Sequence, residues 1–523
     1  MPDIASQSAV IIDGPLTRAQ VVAVARDGVQ VRLSAAAEQR LIAARGHVDA
    51  LAEAPTPTYG VSTGFGALAI RPIPPQRRAA LQRSLIRSHA AGAGPAVERE
   101  VVRAQMVLRL RTLASGYTGA QPVTAHALAA MLNAGITPEV PEFGSLGCSG
   151  DLAPLAAVGL ALMGEGTVTD AEGRATEAAE ALRASGITPV VLAEKEGLAL
   201  TNGTDGMLGM LVLALADLHR LLDVADVTAA MSVEALLGTD RVFAADLQAL
   251  RPHPGQALAA ARMRAALTGS QIVASHRDCH RVQDAYSLRC APQVHGAARD
   301  TVAHAETVAD RELAAAIDNP VVLGDGRLES NGNFHGAPLA YVLDFLAIPV
   351  ADAASMAERR TDRMLDVARS HGLPPFLAAD PGVDSGHMIA QYTQAALVGE
   401  LKRIAVPASV DSIPSSAMQE DHVSMGWSAA RKLRTAVDGL TTVLAVEYLT
   451  AARALELRAP LRPAPATAAA VALLRTRVEG PGPDRHLAPE IAAAADLIRD
   501  GALLHAVEPH LAADSAPGER RQP

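Results

Sequence analysis

This sequence predicts a mainly α-helical protein built as a long-helix bundle, and three observations carry the prediction. Aromatic residues make up only 2% of the chain, so the aromatic strand formers are scarce, while alanine and leucine, which favour helix, recur throughout. Apolar residues repeat at helical spacing over several long stretches. Residues 205–237 are apolar on nearly every face, as expected of a helix in the middle of a bundle or an oligomer core. With 523 residues, 49% of them hydrophobic, the chain can bury a large core, and length alone suggests two to four domains.

The elements follow in order. Residues 98–114 read as an amphipathic helix, with Val102, Met106, Leu110 and Leu113 at helical spacing and Gly116 as a stop signal. Pro122 opens another helix that runs to about Leu132 and ends at Gly135. The 205–237 helix carries Leu208, Leu211, Val212, Leu215, Leu218 and Leu222. Further long helices fit residues 297–317, 338–368, 386–405 and 425–457, with a kink expected at Pro349. Gly- and Pro-rich stretches lie between them: Tyr59–Gly66, Pro141–Gly150, Ser330–Pro338 and Pro407–His422. These loops hold most of the unusual polar residues, where function tends to sit on a rigid scaffold. The last residues, from Ser515, read as frayed. The expected division is an N-terminal domain, 1–205, carrying the Tyr59–Gly66 and Pro141–Gly150 loops, and a 206–523 part holding the long-helix bundle and C-terminal helices.

Composition excludes several function classes. A net charge of -10 suits no nucleic-acid partner, because phosphate binding needs a basic face. Arg520-Arg521 is too short a basic run for a membrane patch. No apolar run reaches the ~18 residues of a membrane span, and Met1-Pro2-Asp3-Ile4 lacks the layout of a signal peptide. Three cysteines, Cys148, Cys279 and Cys290, argue against a disulfide framework and for a reducing compartment. The expectation is a cytoplasmic protein. His276-Arg-Asp-Cys279-His280 has zinc-ligand residue types, but its spacing is not that of a finger and no second cluster accompanies it, so no metal is expected.

The most informative segment is Gly144-Ser-Leu-Gly-Cys-Ser-Gly-Asp-Leu-Ala-Pro-Leu155. Three glycines at intervals of three permit a tight, strained turn. Asp151 can cap the helix that follows, with Pro154 in its first turn. On local pattern alone this could be a glycine-rich turn into a helix or a phosphate cradle. The P-loop version fails for want of Gly-Lys-Ser/Thr.

This segment resembles the cofactor-forming motif of the aromatic amino acid ammonia-lyases. In that family an Ala-Ser-Gly triplet cyclises to 4-methylideneimidazol-5-one (MIO): the glycine nitrogen attacks the carbonyl of the residue before the serine, and loss of the serine hydroxyl leaves an electrophilic methylene. Here the first residue is Cys148, a departure from alanine. Other segments match the family in the same order: Tyr59-Gly-Val-Ser-Thr-Gly-Phe-Gly66, Thr201-Asn-Gly-Thr204, Gln283-Asp-Ala-Tyr-Ser-Leu-Arg-Cys290, Asn331-Gly-Asn-Phe-His335 and Gln419-Glu-Asp-His-Val-Ser-Met425. Ser88-His89-Ala-Ala-Gly92 and Glu420 resemble the histidine-specific branch, since polar groups suit an imidazole better than a phenyl ring. Met418 departs from the asparagine common in relatives.

The resemblance implies a fold of the ammonia-lyase/fumarase-like type that assembles as a homotetramer through a central multi-helix core. It implies elimination of ammonia from L-histidine to give trans-urocanate, the first step of histidine degradation, with MIO from Cys148, Ser149 and Gly150 and no external cofactor. Carried over position by position, Tyr286 becomes the base for the β-proton, and Arg289 the clamp on the substrate carboxylate. Asn202 and Gln283 become hydrogen-bond donors. Tyr59 positions substrate or assists proton transfer, His89 and Glu420 hold the imidazole, and Phe334 packs near MIO. Without the family, Tyr286 reads as a core tyrosine and Arg289 as a buried ion-pair partner. Competing readings are a tyrosine ammonia-lyase, an aminomutase, or a non-catalytic helical scaffold.

Overall fold

The structure, a computed structural model, describes residues 9–65 and 70–511; the Met1–Ile4 segment, Gly66 and the residues from Ser515 onward lie outside them. It is mainly α, with only short two- and three-stranded sheets among the described residues. The long helices stand close to their expected places, at Arg99–Ala114, Pro122–Asn133, Asp205–Ala235, Ala291–Ala314, Ala337–Leu365, Met388–Ile404 and Gly426–Glu456. Gly116 and Gly135 follow the first two with φ of 86° and 70°, conformations that end a helix and favour glycine. The Ala337–Leu365 helix runs through Pro349.

One expectation needs correction and another is met. The helix at 99–114 is not amphipathic in place: every residue from Val101 to Ala114 is buried. Its arginines tolerate this because they are partnered inside, Arg103 by the carbonyls of Val24 and Leu132, and Arg109 by the Asp205 carboxylate and the Ala199 carbonyl, so neither charge is buried unserved. The Asp205–Ala235 helix, apolar on nearly every face, is buried inside the chain as a helix in the middle of a bundle is expected to be. Leu208, Leu211, Leu215, Leu218 and Leu222 are all at most 2% exposed within the single chain.

The chain divides into two compact units. The first comprises residues 1–214, 305–344 and 407–431. Within it, Val10–Ile12 pairs in parallel with Val31–Leu33, and Ala93–Ala96 pairs antiparallel with Pro141–Phe143. The second unit comprises residues 215–304, 345–406 and 432–523. Its helices are pinned by one buried carboxylate: Glu447 accepts from Thr228 and Ser232, both at 2.8 Å, and from Arg360. A buried charge this fully served fixes the register of the helices that carry it. The Ala337–Leu365 helix is long and apolar enough, by length and composition, to cross a membrane, with 61% of its apolar window buried in the chain.

Candidate active site

The Pro141–Phe143 strand and the Leu152–Leu162 helix are joined by the loop that carries Cys148, Ser149 and Gly150. Gly147 and Gly150 adopt φ of 66° and 80°, open to glycine and strained for other residues. Gly150 bridges Gly203, with the Asp151 amide donating to the Gly203 carbonyl at 2.7 Å. The approach leaves no room for side chains. A Cβ on Gly150 would lie 2.1 Å from the Gly203 oxygen, and one on Gly203 would lie 1.5 Å from Arg109 Nη2.

Later segments hold the other side of the loop. The Gly147 carbonyl accepts from Ser424 Oγ at 2.9 Å and from the Gly336 amide at 3.2 Å. The Leu146 carbonyl accepts from the Met425 amide at 2.9 Å. His335 and His422, close before Gly336 and Ser424 in the chain, stack with ring centroids 5.3 Å apart and Nε2 of His335 3.2 Å from Nδ1 of His422. Burial and the neighbouring His422 ring lower the basicity of His335.

Asp151 behaves differently from the sequence expectation. Its carboxylate makes no cap bond to its own helix. Instead Oδ2 accepts from the amides of Gly206 and Met207, both at 2.9 Å, and so caps the Asp205–Ala235 helix, while Oδ1 accepts from Ser145 Oγ at 2.9 Å. Spatial proximity across the Gly150–Gly203 bridge decides this over sequence proximity. Complete burial pushes the carboxyl up to about 7, against the donated hydrogen bonds.

Glu420 faces the triplet. Its Oε2 lies 3.3 Å from Cys148 Sγ and 3.0 Å from Ser415 Oγ, and its Oε1 lies 3.3 Å from Ser149 Oγ. Burial, and then the Glu420 charge, push the Cys148 thiol up to about 11, so it stays protonated near neutral pH. His89 ends the Pro75–His89 helix, where Ser88 Oγ meets its Nδ1 at 3.1 Å. Burial lowers its basicity, and the Leu85 carbonyl and the Glu420 charge oppose that. The carboxylate therefore acts on the thiol and the imidazole together.

The remaining expected residues divide between the units. Asn202, 4% exposed, donates to the carbonyls of Leu198 and Asn319 beside Gly203. Phe334 is half-buried, two residues before Gly336. Tyr59 belongs to the same unit and lines a cavity with Pro320, Asp325, Leu328 and Ser330. Gln283, Tyr286 and Arg289 belong to the second unit. Tyr286 opens a one-turn helix and is 70% exposed, so it is not a core tyrosine. Arg289 sits over its ring, Cζ 4.7 Å from the centroid, and the Arg289 Nε is buried without a hydrogen-bond partner.

His276 turns both ring nitrogens to backbone carbonyls, of Ile272 at 2.8 Å and Gly238 at 3.0 Å, while Cys279 and His280 are exposed. Among the described residues no group of three or more His, Cys, Asp or Glu side chains gathers as metal ligands would. Sequence reasoning missed Ser415, Ser424, Gly203 and Asp151 as site builders. Gly203 and Ser424 carry a signal as members of the matched Thr201–Thr204 and Gln419–Met425 segments, Asp151 is legible as a cap but for the wrong helix, and Ser415 stands out only by its place in the Pro407–His422 loop.

Comparison with known proteins adds a separate finding. A family model described as aromatic amino acid lyase matches residues 16–476. A protein of Streptomyces coelicolor named histidine ammonia-lyase is 67% identical over 495 residues, covering 94% of this chain and 97% of that one. The crystal structure of histidine ammonia-lyase from Trypanosoma cruzi superposes with a TM-score of 0.88 at 37% identity, over 96% of this chain and 95% of that one. A tyrosine aminomutase structure from Streptomyces globisporus superposes with a TM-score of 0.90 at 38% identity, over 96% and 99%.

Proposed function

Because the chain belongs to the aromatic amino acid lyase family, we propose that it is a histidine ammonia-lyase that eliminates ammonia from L-histidine to give trans-urocanate. The observation that carries the choice of substrate is the polar corner beside the triplet, where the Glu420 carboxylate meets Cys148 and Ser149 and bears on His89. Buried polar groups favour a substrate that can satisfy them and penalise a phenyl or phenol ring that leaves them unpaired.

The residues present suit MIO. The Gly150 amide has no side chain to hinder ring closure, and a Cβ there would strike the Gly203 backbone. The Ser149 hydroxyl lies against a carboxylate, and the peptide ahead of the triplet is gripped at the Leu146 and Gly147 carbonyls. When formed, MIO supplies an electrophile for the substrate amine. In this reading Tyr286 takes the β-proton, and the Arg289 guanidinium above its ring offers a nearby positive charge together with an unserved Nε for the substrate carboxylate. Asn202 and Gln283 donate hydrogen bonds to substrate or ring, and Tyr59 positions the substrate from a loop that acts as a lid. His89 and Glu420 hold the imidazole, and Phe334 packs beside the ring. No metal takes part.

We further propose a cytoplasmic homotetramer whose central core carries the helices of all four copies. Phe345 and Ile348 are 47% and 50% exposed on one long helix, and Ile389 and Tyr392 are 57% and 61% exposed on another, large apolar side chains whose burial in an assembly would be favourable. Light scattering should give a tetramer, and a stable active monomer would remove the shared-core idea. The likeness to a tyrosine aminomutase keeps a second reading within the fold. Incubation with L-histidine, L-tyrosine and L-phenylalanine, followed by the ultraviolet absorbance of the conjugated acids, separates them. Urocanate from histidine alone is expected; coumarate, cinnamate or a β-amino acid would overturn the choice of substrate, and an inactive chain whose intact mass retains both waters would mark a non-catalytic scaffold.

A further inference from the structure

Glu420 has three side-chain donors within reach: Ser149 at Oε1, and Cys148 and Ser415 at Oε2. Ring closure, as proposed above, removes one of them. The Gly150 nitrogen bonds to the Cys148 carbonyl carbon, whose oxygen leaves as water with the hydrogens of the Gly150 and Ser149 amides, and that carbon becomes double-bonded to the Ser149 nitrogen. The Ser149 hydroxyl leaves with its Cα hydrogen as a second water. Neither bond change touches the Cys148 side chain. After maturation the carboxylate therefore keeps two of its donors, the Cys148 thiol and the Ser415 hydroxyl. An alanine at position 148 would leave it with one.

The segment carrying Glu420 has reason to need anchoring. Ser416, Ala417 and Met418 stand in succession at φ of 50°, 52° and 69°, a region costly for residues with side chains. The turn is closed by the Ser415–Glu420 bridge, with the Ser415 amide donating to the Glu420 carbonyl at 2.8 Å. Backbone bonds fix the turn, but the side chain of Glu420 is fixed only by what it touches. The thiol is 7% exposed, so water does not compete well for the carboxylate oxygen it serves.

We propose that Cys148 is a positioning residue: its S–H donates to Oε2 of Glu420 before and after maturation, and with Ser415 it holds the carboxylate beside the reacting group. The inference rests on the proposed reaction. It assigns to the cysteine, in the position where relatives commonly carry alanine, a role its backbone alone would not have.

The test uses the full-length protein and its Cys148→Ala and Cys148→Ser variants. Intact mass is read first. The wild type and both variants should be lighter than their sequences by two waters. A wild-type mass that retains both waters would sink the cyclisation reading and this proposal with it. Steady-state kinetics with L-histidine follow. Cys148→Ala should lose about two- to ten-fold in kcat, the worth of one net hydrogen bond, with KM little changed. Cys148→Ser, which restores a donor, should recover most of the loss. Cyclised Cys148→Ala with wild-type kcat, or a serine variant no better than alanine, would overturn the positioning role while leaving the reaction intact. Infrared spectroscopy supplies a readout independent of turnover. The S–H stretch that disappears in Cys148→Ala should shift to higher frequency in Glu420→Gln, where the charged acceptor is gone. An unmoved band would overturn the contact.

Discussion

The Gly150–Gly203 approach predicts the outcome of the smallest possible change, Gly150→Ala. The new Cβ would sit 2.1 Å from the Gly203 carbonyl oxygen, 2.4 Å from its carbon and 2.6 Å from its nitrogen. These are backbone atoms, so no rotamer change relieves the clash. The left-handed φ of 80° costs an alanine about 1–2 kcal/mol. Forcing the strands apart adds about 1–3 kcal/mol of overpacking strain, and loss of the Asp151 amide bond to Gly203 about 0.5–1.5 kcal/mol. The expected destabilisation of the uncyclised fold is therefore about 3–6 kcal/mol, a large share of the ~5–15 kcal/mol that holds a typical domain together. Displacement of the Gly150 amide should also stop ring closure. Intact mass and thermal unfolding measure the two effects side by side. Gly203→Ala is the control, since its Cβ strikes the Arg109 side chain and leaves the triplet's own dihedrals alone. It should unfold early yet keep some mass loss. A Gly150→Ala protein that loses two waters in full and unfolds at the wild-type temperature would refute the steric argument.

Two further predictions concern Asp151 and the second unit. Asp151→Ala leaves the Gly206 and Met207 amides without their acceptor and should destabilise by about 2–6 kcal/mol, at about 1–3 per buried group, whereas Asp151→Asn retains an acceptor and should cost far less. Because burial raises the folded carboxyl from 3.8 to about 7, its contribution to stability is full below 3.8 and is lost as pH rises through about 7. The Asn variant should therefore gain on wild type across that window in urea unfolding, and parallel pH curves would contradict the shift. Tyr286→Phe should lower kcat by at least about 100-fold, the usual worth of a positioned base, while Arg289→Met should act chiefly on KM; near wild-type kinetics in either variant would remove that residue from its role.

The helices were legible because a period of 3.6 needs only local sequence. The 99–114 helix shows where that stops. Its apolar repeat was plain, but burial of Arg103 and Arg109 depends on carbonyls of Val24, Leu132 and Ala199, which no local window contains. Asp151 was legible as a capping residue but not for the helix it caps. A carboxylate serves whichever amides are nearest in space, and Gly206 is brought there by the Gly203 bridge. Tyr286 and Arg289 are a local pair, three residues apart on one helical turn that places guanidinium over ring, yet their roles come from family likeness, since pattern alone reads them as a core tyrosine and an ion-pair partner. Cys148 and Glu420, 272 positions apart, carry no such rule. Each was recognisable by family likeness, and their contact by neither likeness nor pattern.

That separation has a consequence for how the site comes into being. The backbone around the triplet is fixed by the carbonyls of Leu146 and Gly147 and by the Gly150–Gly203 bridge, and the partners are Gly203, Gly336, Ser424 and Met425. All of them follow the triplet in the chain. A nascent segment ending before Gly203 has the reacting atoms but none of the restraints that bend Gly147 and Gly150 into left-handed conformations. Outside those restraints a glycine-rich loop samples many conformations, and ordering each residue costs about 1–2 kcal/mol. The folded unit meets that cost through its packing, then presents the Gly150 amide, the Ser149 hydroxyl and the Glu420 carboxylate together. In the proposed reaction cyclisation is thus a property of the folded unit rather than of the Cys-Ser-Gly sequence, and a peptide of the Gly144–Leu155 segment alone should remain linear, with both waters in its mass.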